Sequence, residues 1–205
     1  HTGNGDTITH KDNPCLKPLS GFKEVKPVVF SSIYPISTDD YEDLVVALEK
    51  LKLNDASLAF QKDSSTALGF GFRCGFLGLL HLEVVQERLE REFDISLIMT
   101  VPTVLYHFYL QDGPKLEIDN PAYFPDPSTI DRTDEPYIKA VILFPERYMG
   151  SIMNLCMERR GVNNHYHYPA PGRIEFNCEI PLAEVIYDFY DTLKSITQGY
   201  GSFDY

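Results

Sequence analysis

The stretch from Ala67 to Asp94 changes its hydrophobic period part-way along, and this change constrains the fold more than any other feature of the chain. Its first part alternates apolar side chains with glycine or arginine, which predicts a strand with one buried face. After Cys74-Gly75 the apolar residues recur at helical spacing, which predicts an amphipathic helix. The predicted inward-facing residues are Leu77, Leu80, Val84, Val85, Leu89 and Phe93.

The same stretch is rich in glycine, with four between Gly69 and Gly78. This density exceeds what strand packing requires and predicts that another part of the backbone approaches closely. Gly75 lies at the predicted junction of strand and helix, where a positive φ or close packing is expected. Gly78 is assigned to the first helical turn. We expect both positions to be intolerant of larger side chains.

The order of predicted elements extends this pattern into two similar blocks. Residues 27–101 give strand, helix, strand, strand, helix, strand, which is the ferredoxin-like βαββαβ order, and residues 136–205 repeat it. Residues 102–135 lie between them and are acidic, rich in proline and largely irregular, with one strand expected at Tyr106–Leu110. The predicted fold class is therefore α+β, with two ferredoxin-like sandwiches joined by a Pro-rich acidic connector.

The formal net charge of −12 is unevenly distributed. Residues 27–101 carry −6 and residues 102–135 carry −5, whereas residues 136–205 have 6 basic and 8 acidic residues and are close to neutral. An acidic surface repels RNA, so contacts with RNA are expected mainly in the last block. The predicted contact residues are Lys139, Arg159, Arg160, His165, His167 and Arg173, with Arg73 as an outlier in the first block.

Several segments of the chain carry a family resemblance. Residues 67–81, with the sequence ALGFGFRCGFLGLLH, resemble the third-domain motif of the LepA (elongation factor 4) family of translation factors. The similarity continues at Ile118–Ala122, at Pro181–Glu184 and at Gly199–Tyr205, the last with the sequence GYGSFDY. LepA proteins are ribosome-dependent GTPases related to elongation factor G.

This resemblance implies a domain organisation. Residues 1–26 correspond to the remnant of a preceding β-barrel, residues 27–101 to the third domain, and residues 136–205 to the elongation-factor-G-like fifth domain, which is expected to be truncated at its carboxyl end. The GTPase domain, with its GTP and Mg²⁺, is expected upstream of these residues. The full-length protein is expected to bind the ribosome and to promote back-translocation of the tRNAs.

The resemblance also implies where the protein acts. It implies a bacterial, cytoplasmic protein whose full-length form associates peripherally with the inner membrane, and the chain itself is expected to be monomeric. No apolar run approaches the length of a membrane span. The four cysteines are scattered without a C-x-x-C pair, which favours reduced thiols. His165 and His167 lack the further ligands of a zinc site, so no metal is expected.

Three other functions deserve comparison with this one. Gly69-Phe70-Gly71-Phe72 resembles the aromatic strand of an RNA-recognition motif, but its flanking residues differ, and alternation favours both phenylalanines as core residues. An acylphosphatase-like enzyme would use Arg73 for phosphate and Asn177 to orient water, although the two lie in different predicted domains. A purely structural two-domain spacer is the third alternative.

Two single residues have both a functional and a structural interpretation. Arg73 is predicted on an outward strand face, where a phosphate contact and a salt bridge to a nearby glutamate are about equally expected. A general base is one interpretation of His81, because an unperturbed imidazole titrates near neutral pH. No nucleophile is spaced near His81, so a structural role is favoured for it.

The chain contains no G-x-x-x-x-G-K-[ST] loop and no Asn-Lys-x-Asp motif. We therefore predict that the 205-residue chain alone neither binds nor hydrolyses GTP. A calorimetric titration with GTP should give only heats of dilution. Stoichiometric binding in the micromolar range would contradict the assignment of its domains.

Overall fold

The computed structural model describes residues 6–17, 26–111 and 113–205. The chain divides into two compact units, His1–Thr100 and Val101–Tyr205. Gly5, where the predicted barrel strand begins, lies outside the described residues. Within residues 6–17, the sole regular feature is an isolated bridge between His10 and Asn13. The predicted domain boundaries stay predictions.

The first unit contains four strands and two α-helices in the order that the sequence predicts. They are β1 (Val29–Pro35), α1 (Tyr41–Asn54), β2 (Ala59–Ser65), β3 (Gly69–Phe76), α2 (Leu79–Phe93) and β4 (Leu97–Met99). The strands form an antiparallel sheet in the order β2-β3-β1-β4. β3 runs through Gly75, so the strand continues beyond the predicted junction with the helix.

The two helices pack against one face of this sheet. Their buried residues are Leu44, Leu48 and Leu51 from α1 and Leu82, Val85 and Leu89 from α2. The predictions for Val85 and Leu89 are confirmed, whereas those for Leu80 and Val84 are wrong, since Leu80 is 73% exposed. Helix α2 carries apolar residues on two sides, and only its docking on the sheet selects the buried one.

Close approach explains two of the glycines. A Cβ on Gly71 would collide with the carbonyl oxygen of Ile33 and come within 2.5 Å of the Tyr34 ring. A Cβ on Gly75 would lie 2.8 Å from Cβ of Pro27, and its φ is not positive, so close packing is the constraint there. Gly78 is the N-cap of α2 in an extended conformation and not a residue of the first turn. Its intolerance of bulk stays a prediction.

The second unit begins with the segment expected to be mostly irregular. The strand predicted at Tyr106–Leu110 is confirmed. It is the middle strand of a three-stranded antiparallel sheet, ordered β7-β6-β8, so the expectation of a largely irregular segment is wrong. The strands here are β5 (Thr103–Val104), β6 (Tyr106–Leu110), β7 (Lys115–Ile118) and β8 (Ile130–Asp134). β5 and β7 are too short to show a clear period-two pattern, and β8 has only one apolar residue, Ile130.

A second antiparallel sheet follows, in the order β10-β11-β9-β12. Its elements are β9 (Tyr137–Pro145), α3 (Met149–Glu158), β10 (Val162–Ala170), β11 (Arg173–Pro181), α4 (Leu182–Val185), α5 (Phe189–Ile196) and β12 (Ser202–Asp204). Pro181 and the apolar residues at helical spacing after it predict one helix that ends at Gly199, whereas the structure has two helices, α4 and α5. Residues 185–192 include only weak helix formers, which favours a break there.

The core of the second unit lies between this sheet and its helices. Alternate residues of β9 and β11, among them Ile142, Phe144, Ile174 and Phe176, are completely buried and belong to one cluster with residues of α3 and α5. The other face of the sheet carries the polar residues of the same strands. All four cysteines of the chain are free. Within the described ranges, neither unit has a helix long and apolar enough to span a bilayer.

We predict that Gly71→Ala destabilises the first unit by about 1–3 kcal/mol, because the added methyl group must displace backbone or the Tyr34 ring. Chemical denaturation followed by circular dichroism measures this. Gly150→Ala is the matched control, since a Cβ at this position in α3 meets nothing within 4 Å. It should be neutral or stabilising by up to about 1 kcal/mol. Equal midpoints for the Gly71 variant and the wild type would contradict the close-approach argument.

Candidate nucleic-acid interface

Arg73 lies on the sheet face opposite the core residues Phe72 and Cys74, the side that alternation predicts. It is only 7% exposed, however, so the expectation of an outward, solvent-facing cation is wrong. Its Nη1 donates a hydrogen bond of 3.3 Å to Oγ of Ser32, which in turn donates one of 2.6 Å to Oδ2 of Asp63. Arg73 therefore belongs to an internal polar network.

Asp63 is the centre of this network. It also accepts a hydrogen bond of 2.9 Å from the Tyr34 hydroxyl, which reaches it across the bare Cα of Gly71. Burial alone would raise the pKa of Asp63. Hydrogen bonds from Ser32, Tyr34 and the Ser64 N–H, together with the charge of Arg73, outweigh it and lower the pKa. One carboxylate beside Arg73 is thus that of Asp63, an aspartate.

Asn177, the other residue of the acylphosphatase alternative, lies in β11 of the second unit. Its side-chain amide donates a hydrogen bond of 3.2 Å to Glu175. Arg73 and Asn177 belong to different compact units. The acylphosphatase alternative therefore has no support.

His81 has the structural role that the sequence favours. Its Nδ1 accepts a hydrogen bond of 3.0 Å from the N–H of Leu77, the residue before the N-cap of helix α2. Because Nδ1 is an acceptor, Nε2 carries the proton and donates a hydrogen bond of 2.7 Å to Oδ2 of Asp55. Asp55 is the C-cap of α1, so His81 ties the end of one helix to the start of the other.

The two phenylalanines of the RNA-recognition alternative have different environments. Phe72 is buried and stacks on Tyr41 with ring centroids 5.5 Å apart, as a core residue should. Phe70 is 70% exposed at the start of β3, so its assignment to the core is wrong. The centroid of its ring lies 6.1 Å from that of Tyr41. One exposed ring does not make the stacking surface of that motif.

Arg159 and Arg160, at the end of α3, are held by carboxylates of their own unit. Arg159 donates to Asp188 at 2.7 Å. Arg160 donates to Glu184 at 2.9 Å and to Glu135 at 3.1 Å, and the bonding to Glu135 is the main reason that the pKa of Arg160 is raised. These arginines have the structural role that their position at a helix end also allows.

Arg160 has a further constraint in its backbone. Two arginines followed by glycine at the end of a predicted helix indicate Gly161 as the left-handed residue that ends α3, but Arg160 takes this conformation instead, with φ of 59°. The Gly161 N–H donates to the Cys156 carbonyl at 2.7 Å, and a Cβ there would lie 2.7 Å from that oxygen. Gly161 is therefore required for close approach, and the ion pairs hold Arg160 in a strained conformation.

The remaining predicted residues lie on the polar face of the β9–β12 sheet. Lys139 pairs with Glu179 in the ladder, His165 with Asn177, and His167 with Glu175. Lys139 and His165 share a shallow cavity of about 340 Å³, also lined by Asn163, Asn177 and Glu179. Arg173 is exposed at the start of β11. The structure thus brings four of the predicted cations and histidines onto one sheet, with carboxylates interleaved among them.

Two further cations of the second unit are not indicated by the charge pattern of the sequence. Arg147 and Lys194 both lie against tyrosine rings, Arg147 against Tyr148 and Tyr200 and Lys194 against Tyr190. The spacing of Tyr190 and Lys194, four residues apart in a helix, could have indicated the second pair. The contact of Arg147 with Tyr200 joins distant segments, and no local pattern indicates it. Among the described residues, no cluster of histidine, cysteine and carboxylate side chains could hold a metal ion.

Two family profiles match the chain. Elongation factor G domain III matches residues 25–101, and the elongation factor G C-terminus matches residues 132–205. Each match covers one of the two helix-backed sheets described above. The matches assign the chain to the elongation-factor-G class of translation factors.

Similarity to individual proteins narrows the class. The chain is 77% identical to elongation factor 4 of Desulfotalea psychrophila, 67% to that of Syntrophus aciditrophicus and 55% to that of Streptococcus thermophilus. Each alignment covers 98% of this chain, whereas the chain spans about a third of the length of these relatives. The chain belongs to the elongation factor 4 (LepA) family.

We predict that Arg160→Ala destabilises the second unit more than Arg160→Gly does, by about 1 kcal/mol. Both variants lose the ion pairs with Glu135 and Glu184, but only alanine retains the strain of the left-handed conformation. Urea denaturation of the two variants measures the difference. Asp134→Asn, which removes the charge of an exposed ion pair with Arg132 and keeps the Arg132 side chain, should change stability little. Equal midpoints for the alanine and glycine variants would show that the strain is not significant.

Proposed function

We propose that this chain is the ribosome-docking part of a translational GTPase of the elongation factor 4 type. The observation that carries the proposal is the pair of profile matches, domain III and the C-terminus of elongation factor G, on two separate sheets of one chain. By family resemblance, GTP and Mg²⁺ bind and GTP is hydrolysed in a domain outside these residues. The share of this chain is mechanical, in docking on ribosomal RNA and protein near the GTPase centre.

We also propose that both sheets belong to ferredoxin-like sandwiches. Two observations support this. The strand orders β4-β1-β3-β2 and β12-β9-β11-β10 follow the same pattern, with the first and third strands of each block in the middle. In each block, helices cover one face of the sheet and the connections include the split βαβ arrangement. In the second unit the other face of the sheet carries exposed polar residues, whereas in the first unit Ser32, Tyr34 and Arg73 on that face are buried.

The activity of the full-length protein is proposed from resemblance. It is GTP-dependent binding to the ribosome with promotion of back-translocation, in the cytoplasm of a bacterium. Peripheral association with the inner membrane and a monomeric state of this chain also stay predictions. The spacer alternative is distinguished from docking by whether surface substitutions, which leave the fold intact, change ribosome binding.

The polar face of the β9–β12 sheet is the proposed docking surface. Lys139, His165, His167 and Arg173 lie on it, and in the part of the chain that the structure describes only His167 among them has a carboxylate within ion-pair distance, Glu175 at 3.8 Å. The charges of Arg159 and Arg160, in contrast, are compensated by carboxylates. A phosphate contact requires a cation that is not already neutralised by a close carboxylate. We therefore expect Arg159 and Arg160 to influence ribosome binding through the stability of the unit.

We predict that Lys139→Glu and Arg173→Glu, each in full-length elongation factor 4 carrying this segment, weaken binding to bacterial ribosomes and make it less dependent on salt. Co-sedimentation over a range of potassium chloride concentrations measures both effects. The double reversal of Lys50 and Lys52, on α1 of the acidic first unit, is the matched control and should have little effect.

Reversal of Arg159 and Arg160 separates the two roles. It should lower the melting temperature, because it places new carboxylates beside Glu184 and Asp188. The Lys139 and Arg173 variants should melt like the wild type. If only the Lys50 and Lys52 reversal weakens binding, the acidic unit is the docking surface and the proposal for the second unit is wrong.

A further inference from the structure

Tyrosine rings and cations alternate along one end of the second unit, where Tyr190 and Tyr200 are exposed and Tyr148 is partly buried against the core. In spatial order the row consists of Tyr190, Lys194, Tyr200, Arg147 and Tyr148. The members come from α5, from the loop before β12 and from the short 3-10 helix Glu146–Tyr148 that follows β9. We name this row the tyrosine platform.

Direct contacts connect the members of the platform. The Arg147 guanidinium lies 4.8 Å from the ring centre of Tyr148 and 5.5 Å from that of Tyr200. Lys194 Nζ lies 5.2 Å from the Tyr190 ring and donates a hydrogen bond of 2.7 Å to the carbonyl of Gly201, the residue after Tyr200. Side-chain contacts therefore join Tyr190 to Lys194, and Arg147 to Tyr148 and Tyr200, and the backbone at Gly201 links the two groups.

The cation at the centre of the platform differs from those that the sequence favoured. Within the described residues, no carboxylate forms an ion pair with Arg147, in contrast to Arg159 and Arg160. The adjacent Glu146 accepts a hydrogen bond of 3.1 Å from the Tyr168 hydroxyl. Arg173 pairs with Pro145 in the ladder, so it lies at the same end of the sheet as Arg147. Positive charge at this end is therefore available to an external anion.

The loop that carries Tyr200 is held in place by buried contacts. Thr197 is completely buried, donates to the Leu193 carbonyl at 2.8 Å and accepts the Gly201 N–H at 2.9 Å. Gln198 and Gly199 both take positive φ, and a Cβ on Gly201 would lie 2.8 Å from Oγ1 of Thr197. The Tyr200 ring, 58% exposed, is thus presented on a fixed backbone. Such a rigid arrangement loses little conformational entropy on binding.

We infer that the tyrosine platform binds unpaired RNA bases by stacking, with Arg147 and Lys194 contacting the adjoining phosphates. Exposed aromatic rings and guanidinium planes are the surfaces on which unstacked bases of loops and bulges lie. A paired helix offers no free base face to such a row. The inference rests on the proposed ribosome docking and adds to it the kind of RNA bound, which is a looped or single-stranded segment.

The test uses the 205-residue chain and two fluorescein-labelled RNA hairpins of equal length, one with a purine-rich unpaired loop and one capped by a minimal tight loop. Fluorescence anisotropy at a series of potassium chloride concentrations gives the affinities and their salt dependence. The wild type should prefer the looped hairpin. Tyr200→Ala should weaken that binding roughly ten-fold, whereas Tyr200→Phe, which keeps the ring, should retain it. Arg147→Gln should weaken the binding of both hairpins and make that binding less dependent on salt.

Tyr187→Ala is the matched control. Tyr187 is 71% exposed between α4 and α5, and among the described contacts it has no cation or ring partner. It should leave the affinity unchanged. Equal affinity of the wild type for the two hairpins, or equal loss with Tyr187→Ala and Tyr200→Ala, would overturn the inference. Circular dichroism melting of each variant excludes unfolding as the cause of a loss.

A second measurement separates this inference from the proposed function. The same substitutions in full-length elongation factor 4 carrying this segment are tested by ribosome co-sedimentation. If the wild type binds ribosomes and Tyr200→Ala does not alter this, the ribosome is docked elsewhere and the platform inference is wrong, while the proposed function stands. If the variant loses ribosome binding although the chain does not bind looped RNA, the platform contacts protein, which also overturns the inference. Failure of the wild type to bind ribosomes, with looped RNA still bound through Tyr200, would overturn only the proposed function.

Discussion

In each helix-backed sheet the antiparallel pairing of the two central strands determines which side chains can meet. These strands are β1 and β3 in the first unit and β9 and β11 in the second. In the first unit this pairing works only because Gly71 has no side chain. The Tyr34 ring lies over Gly71 and its hydroxyl reaches Asp63 on the next strand. A single missing methyl group thus permits a polar network across three strands, which holds Arg73 and removes it from solvent.

Compensation of charge explains why counting charges along the sequence is an incomplete guide to an RNA-binding surface. Arg159 and Arg160 stand out in the sequence, yet Glu184, Asp188 and Glu135 converge on them from other elements. Arg147 is an isolated arginine in sequence, but in the fold it lies between two tyrosine rings. A cation is available to phosphate only where the fold leaves it without a carboxylate, and that depends on contacts between distant segments.

The predictions that succeeded depend on local periodicity. The order of elements in both helix-backed sheets follows from patterns of period two and 3.6, and the close packing of Gly75 from its place in a glycine-rich strand. Those that failed depend on relations that a window of sequence does not contain. The face of α2 that is buried, the strands β7 and β8, and the left-handed Arg160 before Gly161 were each decided by packing or pairing with another segment.

The sequence by itself determined the family, the mixed α and β class and the lack of a phosphate-binding loop in this chain, because these are recorded in contiguous motifs and short-range patterns. It also indicated Lys139, His165, His167 and Arg173, which the tertiary structure places on one sheet. Only the tertiary structure decided that Arg73 is internal and that Tyr148, Arg147 and Tyr200 adjoin. Burial and stacking arise between side chains that folding brings together. The separation of these residues in the sequence does not indicate that they are in contact.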